Sequence, residues 1–355
     1  MTKEQTNHGT GTLHPTSEKY MKILVTGGLG FIGSNFCRHI IARHPRYEII
    51  NIDKIGTGAN PASLKDLENK RRYKFIKGDI CDSKLLNKLI TQVDAVVNMA
   101  AETHVDRSIA DPPSFIQSNT VGTFTILEAL RKHNNEAKLV QVSTDEVYGE
   151  IPEGSFDEED ALKPSNPYAA SKAAADIFAL AYYKTYDLNV AVTRCTNNYG
   201  PYQFPEKLIP KTIVRALKNL KVPIYGTGKN IRDWIYVQDH CEAIDLVLTK
   251  GQPGEIYNIS SGNEMPNIEI VKEILELMGK NEDLITFVED RPGHDIRYSL
   301  ASSKIRCGLG WKPRFSFEKA LKLTVNWYLH NESWWKPLAT KEILAATPWK
   351  LGRTR

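Results

Sequence analysis

Asp145 and Glu146 stand side by side in "STDEVYGE", residues 143–150, just after the apolar run "LVQV". Consecutive carboxyl groups at the end of a buried strand invite acid–base chemistry, because like charges in a closed pocket do not both ionise and their pKa values split. The plainer alternative is an acid pair that caps a helix or faces solvent, the usual state of such residues. Downstream, "YAASK" sets Tyr168 and Lys172 four residues apart, one turn along the same helix face. An ammonium beside a phenol lowers the phenol's pKa, so the pair can take a proton from a hydroxyl that Thr144 orients. A Tyr and a Lys at this spacing often form no more than a surface pair. A strand-end threonine 24 residues earlier makes the combination specific.

These groups need a scaffold, and the chain supplies an alternating one from Met21 onward. "KILVT", "YEIINID", "YKFIKGDI", "VDAVVNMAA", "KLVQVST" and "NVAVTRC" read as strands, separated by helical stretches such as 83–92, 114–133 and 166–186. The first helix, "GFIGSNFCRHIIARH", carries Phe31, Phe36, His39 and Ile40 near one face. Strands alternating with helices predict an α/β fold, a Rossmann-type doubly wound parallel sheet. Their continuous apolar character predicts cover on both sheet faces. After about residue 198 the rhythm breaks at Pro201, Pro205, Pro210 and Pro223, and Trp and Tyr become frequent. We read 21–197 plus 236–262 as the sheet domain, and 198–235 plus 263–355 as a smaller mixed α/β lobe.

"TGGLGFIG" follows the first strand and opens the first helix, with Gly27, Gly30 and Gly33 spaced three apart. Glycines permit a tight turn and let the backbone approach a pyrophosphate at a helix N-terminus. Asp53 lies 20 residues beyond Gly33, at the end of the second strand. A carboxylate there accepts ribose hydroxyls and repels a 2′-phosphate, so NAD is expected over NADP, with Lys54 the one contrary charge. Asp79, ending the third strand, either reaches the adenine amino group or caps the next helix.

The formal net charge is +4 over 355 residues, with both signs interspersed, which does not point to nucleic acid. No apolar run is long enough for a membrane span. Residues 1–20 lack the apolar core of a signal peptide and read as a disordered extension. The five cysteines are scattered, suit a reducing cytoplasm and are expected to be buried and inert. They lack metal-like spacing, and no metal is expected; His294 beside Asp295 finds no further ligands in pattern.

With "TGGLGFIGS", "AAETHVDRS", "STDEVYG", "NPYAASK", "NNYGPYQFPEKLIP", "IRDWIYVQDH", "DRPGHDIRY" and "WYLHNESWWKPL" on the page, the sequence resembles the extended short-chain dehydrogenase/reductases. Within them it looks like the dTDP-glucose 4,6-dehydratases, from Met21 to about Leu338. The resemblance implies dTDP-glucose as substrate, tightly bound NAD and a homodimer joined by helices 114–133 and 166–186. It also implies a division of labour for the acids. Oxidation at C4 of the hexose acidifies C5–H, Glu146 removes that proton, and a protonated Asp145 donates to the departing C6 hydroxyl. By resemblance the cofactor contacts are Gly27, Gly30, Phe31, Ile32, Gly33, Asp53, Lys54, Asp79, Ile80, Ala100, Ala101 and Thr103, with Tyr168 and Lys172. Those to the sugar nucleotide are Thr103, Asn198, Glu206, Lys207, Leu208, Tyr225, Arg232, Asn267, Arg291 and His294. Arginine forks suit phosphate, although Arg232 has Asp233 and Asp239 as nearby ion-pair candidates. His104, Asp106 and Arg107 read as a structural polar network.

Where the family carries a stretch like "KLTYAGN" after the Asp53 position, this chain reads "KIGTGAN", which alters the packing expected over the cofactor. A UDP-glucose 4,6-dehydratase, a 4-epimerase or decarboxylase, and a non-catalytic NAD-sensing protein remain as alternatives. The Asp145–Glu146 pair speaks against the epimerase and decarboxylase, and the intact Tyr168–Lys172 pair against the sensor.

Overall fold

The central strands of the first half are buried along almost their whole length, and neighbouring residues in them point to opposite sheet faces. Ile23 and Val25 belong to the core on one face, while Leu24 belongs to the core on the other. Ala95 and Val97 against Val96, and Val140 against Leu139, repeat the division. Both faces are therefore covered, as the unbroken apolar runs require.

The computed structural model describes residues 19–350, so the extension expected over 1–20 lies outside the described residues apart from Lys19 and Tyr20. Twelve strands are present among them: β1 Met21–Thr26, β2 Tyr47–Asp53, β3 Tyr73–Lys77, β4 Ala95–Asn98, β5 Lys138–Thr144, β6 Val190–Cys195, β7 Asn197–Tyr199, β8 Val222–Tyr225, β9 Ile231–Tyr236, β10 Ile256–Ile259, β11 Glu264–Pro266 and β12 Ile285–Val288. Seven of them form one parallel sheet in the order β10-β6-β5-β4-β1-β2-β3. The order reverses between β1 and β4, the point at which open α/β sheets leave a crevice beyond their strand ends. A three-stranded sheet β11-β9-β7 and the parallel pair β12-β8 lie outside it. The three-stranded sheet is packed by a separate core that includes Tyr199, Trp234, Tyr236, Phe317 and Tyr328, and the pair by one around Val222, Ile224, Val271 and Leu275. No helix among the described residues is long and apolar enough to cross a membrane.

Local differences from the sequence expectations have physical causes. The stretch expected as one helix over 114–133 is helical from Pro112 but widens to π geometry over Ile116–Val121 before returning to α-helix at Gly122–His133. Such widenings recur at functional sites. On the first helix His39 is not a core residue: its Nε2 meets Asp245 at 2.8 Å, and Cys37 and Ile41 join Phe36 and Ile40 inside. Of the cysteines, Cys37, Cys195 and Cys241 are buried, whereas Cys81 is half-buried and Cys307 exposed, which corrects the expectation for those two.

The turn after β1 is built on two glycines. Gly27 has φ +70°, and a Cβ there would sit 2.7 Å from the Ala100 backbone at the end of β4. At Gly33 a Cβ would meet the Gly27 carbonyl oxygen at 2.3 Å. Gly33→Ala should therefore force the first helix off the turn and destabilise the chain by ~1–3 kcal/mol. Thermal melting measures this, and an unchanged melting temperature would show that the turn yields freely.

Candidate active site

All the strands of the main sheet point the same way, so the ends of β1, β2, β4, β5 and β6 converge on one cleft. It is lined by Gly27, Gly30, Phe31, Ile32, Gly33, Asp53, Lys54, Asp79, Ile80, Ala100, Ala101 and Thr103 on one side. Thr144, Asp145, Glu146, Tyr168, Lys172, Asn198, Glu206 and Lys207 line the other. Residues scattered from 27 to 207 thus share one wall-to-wall space.

The dinucleotide half fits a nucleotide cofactor on this chain's own geometry. The glycine turn brings backbone close to the cleft at the N-terminus of the helix Phe31–Arg43, whose cap, Gly30, carries no side-chain bond. Asp53 is buried at the end of β2, where its two oxygens accept from the Leu29 and Ile55 amides at 3.1 and 2.8 Å. Each oxygen retains lone pairs for a ribose hydroxyl. Burial raises its pKa, against the pull of those two amides. Lys54, the contrary charge in the sequence, reaches Ser118 at 2.7 Å and Glu102 at 3.4 Å, so its charge is answered there. Asp79 does not cap the following helix: Asp82 does, accepting from Lys84 and Leu85, while Asp79 accepts from Cys81 and lines the cleft. In the divergent "KIGTGAN" stretch Ile55 has φ +61°, unusual for a β-branched residue, and Gly56, Thr57 and Gly58 line the cleft where the family's tyrosine is missing.

The chemical half is set by β5 and the helix Pro167–Tyr186. Beyond Thr144 the chain makes a single 3₁₀ turn, Asp145–Tyr148. Asp145 is 3% exposed and its Oδ1 accepts from the Thr144 hydroxyl at 3.0 Å, while Oδ2 is buried without a partner. Burial first, and the neighbouring Glu146 carboxylate second, push Asp145 up to about 8. Glu146 is half-buried and accepts a long 3.4 Å bond from Asn166. Environment thus makes two chemically similar neighbours unequal, one buried and raised and the other half-buried.

Tyr168 and Lys172 are both buried on the cleft side of their helix. Lys172 donates to the Val142 carbonyl at 2.6 Å, and burial lowers its pKa. In the chain by itself the phenol is raised rather than lowered. Burial, then Glu146, Cys195 and Asp145, hold Tyr168 well above its ordinary value. An added positive charge in the cleft is what would bring it down. The π segment supports this helix from outside. Asn119 binds the Glu102 amide at 2.8 Å and Ser171 Oγ at 2.8 Å, tying the loop after β4 to the Tyr168 turn.

The remaining residues named from sequence occupy the lobe beside the cleft rather than its wall of strand ends. Tyr225 donates to Asp106 Oδ2 at 2.7 Å, and Arg291 donates to Asp106 Oδ1 at 3.0 Å. Arg232 does not pair with Asp233 or Asp239. Its fork takes the carbonyls of Ile231, Asp295 and Ile296, and it stacks on Tyr298 at 4.2 Å. Asp233 instead accepts from Ser260, Ser261, Gly262 and Asn263, and Asp239 from Arg314 and Phe315. His294 meets Asp290 at 2.6 Å and packs edge-on to Tyr225. Leu208 and Asn267 each begin a helix, and Leu208 packs into the lobe core. The polar trio of "AAETHVDRS" is more than local: Asp106 joins Tyr225 to Arg291, and Arg107 grips Glu206 at 2.9 Å. His104 is kept neutral by burial and by the surrounding charges of Lys207, Lys211, Arg291 and Arg107. Lys211, which the sequence did not single out, is pushed down to about 8 by burial in this group. Buried cations crowded together in this way favour an anionic ligand.

A glycine-turn cofactor cleft opening onto a Tyr–Lys pair, an acid pair and a cationic lobe is the arrangement of a nucleotide-sugar short-chain dehydrogenase/reductase. Residues 24–324 match the family model described as GDP-mannose 4,6 dehydratase, and the chain belongs to that family. It is 47% identical over 337 residues to a dTDP-glucose 4,6-dehydratase of Streptomyces niveus, covering 94% of this chain and 100% of the relative. Among solved structures it is similar to dTDP-glucose 4,6-dehydratase from Bacillus anthracis in complex with NAD, with TM-score 0.84 and 49% identity over 90% of this chain and 99% of that one. The Streptomyces venezuelae enzyme of the same name, with NAD and TYD bound, gives TM-score 0.88 and 46% identity over 90% and 100%.

The raised Asp145 has a stability consequence with a definite sign. A carboxyl whose folded pKa is raised contributes stability in full below its ordinary value of 3.8, and that contribution is lost as pH rises through about 8. Asp145→Asn removes the penalty. Its stability relative to the unmodified chain should rise between pH 5 and pH 9, by about 4 kcal/mol. Paired melting curves across that range check this, and a constant difference would mean that Asp145 titrates normally.

Proposed function

We infer that this chain converts dTDP-glucose to dTDP-4-keto-6-deoxy-glucose with loss of one water, using tightly bound NAD. The observation that carries the inference is the acid pair: a buried Asp145 held protonated beside a more accessible Glu146. C4 oxidation alone, as an epimerase needs, gives such a pair no task. The dTDP-glucose 4,6-dehydratases of Streptomyces niveus and Bacillus anthracis, to which the chain is similar, support the dTDP-sugar.

Held by the glycine turn and Asp53, NAD would supply the hydride acceptor for C4 and the hydride donor for C6. The chain's own residues manage the protons. Thr144 orients the C4 hydroxyl and Tyr168 takes its proton, with Lys172 as the cation that favours the phenolate. Once C4 is a ketone, Glu146 removes the proton from C5. Asp145 gives its proton to the C6 hydroxyl, which leaves as water. A proton returned to C5 completes a sequence with no net redox change. Asp145 must be protonated for the elimination step, so that step weakens as pH rises through about 8.

We assign Gly27, Gly30, Phe31, Ile32, Gly33, Asp53, Lys54, Asp79, Ile80, Ala100, Ala101 and Thr103 to the cofactor. Asn198, Glu206, Lys207, Leu208, Tyr225, Arg232, Asn267, Arg291 and His294 are assigned to the nucleotide diphosphate, together with Thr103. Residues 21–197 plus 236–262 would then form the cofactor domain, and 198–235 plus 263–355 the sugar-nucleotide lobe. A cytoplasmic homodimer completes the proposal. Its support is an exposed apolar surface shared by two packed helices, with Ile116 54%, Phe124 40%, Ile177 58% and Phe178 40% exposed.

Mass spectrometry of sugar nucleotides after incubation with dTDP-glucose, without added NAD, should show loss of one water. Equal loss from UDP-glucose would remove the base assignment, and an unchanged mass with a galactose product would replace dehydration by epimerisation. For the assembly, Phe178→Glu places a charge on the apolar surface and should halve the mass measured by light scattering. A monomeric unmodified chain would refute the dimer.

A further inference from the structure

Arg194 carries no part of the chemistry described above, yet it is 2% exposed and lies directly beneath it. It stands in β6 between Ser143 of β5 and Asn258 of β10 in register. Its Nε donates to Asp176 Oδ2 at 3.0 Å, an ion pair whose acid is 0% exposed. Its Nη1 donates to the Tyr148 hydroxyl at 2.7 Å, and the guanidinium lies 4.7 Å from the Tyr148 ring centre. That hydroxyl donates onward to Asn258 Oδ1 at 3.0 Å. Asp176 is one turn beyond Lys172 on the same helix, and Tyr148 closes the 3₁₀ turn that Asp145 opens. One buried fork is thus bonded to both elements that bear reactive groups. In a dry interior it has no alternative partner to swing to without stranding a charge.

The two arms carry unequal responsibility. The helix has other anchors close to its reactive residues: Lys172 to Val142 at 2.6 Å and Ser171 to Asn119 at 2.8 Å. The turn's own anchors are longer: the Thr144 hydroxyl to Asp145 is 3.0 Å and the Lys163 amide to the Val147 carbonyl 3.1 Å. Glu146 N to Thr144 Oγ1 and Asn166 Nδ2 to Glu146 Oε2 are both 3.4 Å long. Bonds of that length hold geometry poorly. The 2.7 Å bond from Arg194 to Tyr148 is the strong side-chain tether on the acid-pair turn.

We propose that Arg194, with Tyr148 and Asp176, is a positioning clamp that seats the Asp145–Glu146 turn against the Tyr168–Lys172 helix. Its Tyr148 arm governs the C5–C6 elimination rather than the C4 oxidation. The functional half of this rests on the reaction inferred above; the clamp itself does not.

Tyr148→Phe keeps the ring, stacked on Phe156 at 5.0 Å, and removes only the hydroxyl. Hydrogen-exchange mass spectrometry of the protein as purified should show residues 143–149 exchanging about tenfold faster in the variant, with 167–186 unchanged. On mixing with dTDP-glucose, kcat should fall about tenfold at constant KM. The near-ultraviolet absorbance of reduced nicotinamide should then build up, because oxidation outruns elimination. Arg194→Lys, which keeps a charge for Asp176 but cannot fork, should give the same signature. Unchanged exchange in 143–149 overturns the clamp. Equal slowing of oxidation and elimination, with no accumulation, overturns the assignment of its Tyr148 arm. If the unmodified chain leaves dTDP-glucose intact, the reaction inferred above fails, while the exchange measurement still decides the clamp.

Discussion

Two carboxyl groups on consecutive residues, closed off from water, cannot both carry charge cheaply. Much of this structure serves that constraint. Asp145 is placed where β5 ends inside the protein, and Glu146 one residue later where the turn has begun to emerge. The same burial that raises Asp145 also raises Tyr168 and lowers Lys172. Burial of this kind disfavours charge on Asp145, Tyr168 and Lys172 until a charged ligand arrives. That is a sound arrangement for proton transfers that must wait for a cofactor and a substrate.

Charge is handled differently on the two sides of the cleft. Around Asp53 and Lys54 the charges are answered within the chain, by amides, Ser118 and Glu102. In the lobe, Asp106 and Glu206 are shared among Arg291, Arg107, Lys207 and Lys211, leaving an excess of positive charge in buried surroundings. A ligand with a diphosphate would satisfy the second environment and a ribose the first. The loop after β4 joins the two, since Thr103 to Arg107 run from the cofactor wall into the cationic group. The Lys207 bond to the Thr103 carbonyl, at 2.9 Å, ties that loop back to the lobe.

The parallel sheet, its covered faces and its glycine turn were legible because each depends on local pattern: apolar runs, helical periods and glycines between them. The Tyr168–Lys172 pair was legible for the same reason, four residues being one turn. Asp82 as the true cap of its helix was missed, although its Asp-Ser start was visible, because Asp79 sits so near in "KGDICDS". The π widening at Ile116–Val121 leaves no clear mark in composition. The ion-pair alternative for Arg232 falls away because acids nearby in sequence are not nearby in space when their own amide donors claim them.

By itself the sequence determined the class of fold, the order of its elements and the kinds of chemical group at each strand end. Those follow from residue type and short spacing, which the backbone's two periodicities translate directly into faces and turns. Only the tertiary structure decided how the groups act on one another. Asp106 bridging Tyr225 to Arg291 spans 185 positions, and Arg194 reaches Tyr148 across 46. Which carboxyl has its pKa raised was likewise a matter of burial, since water exclusion is a property of the packed chain and not of any residue within it.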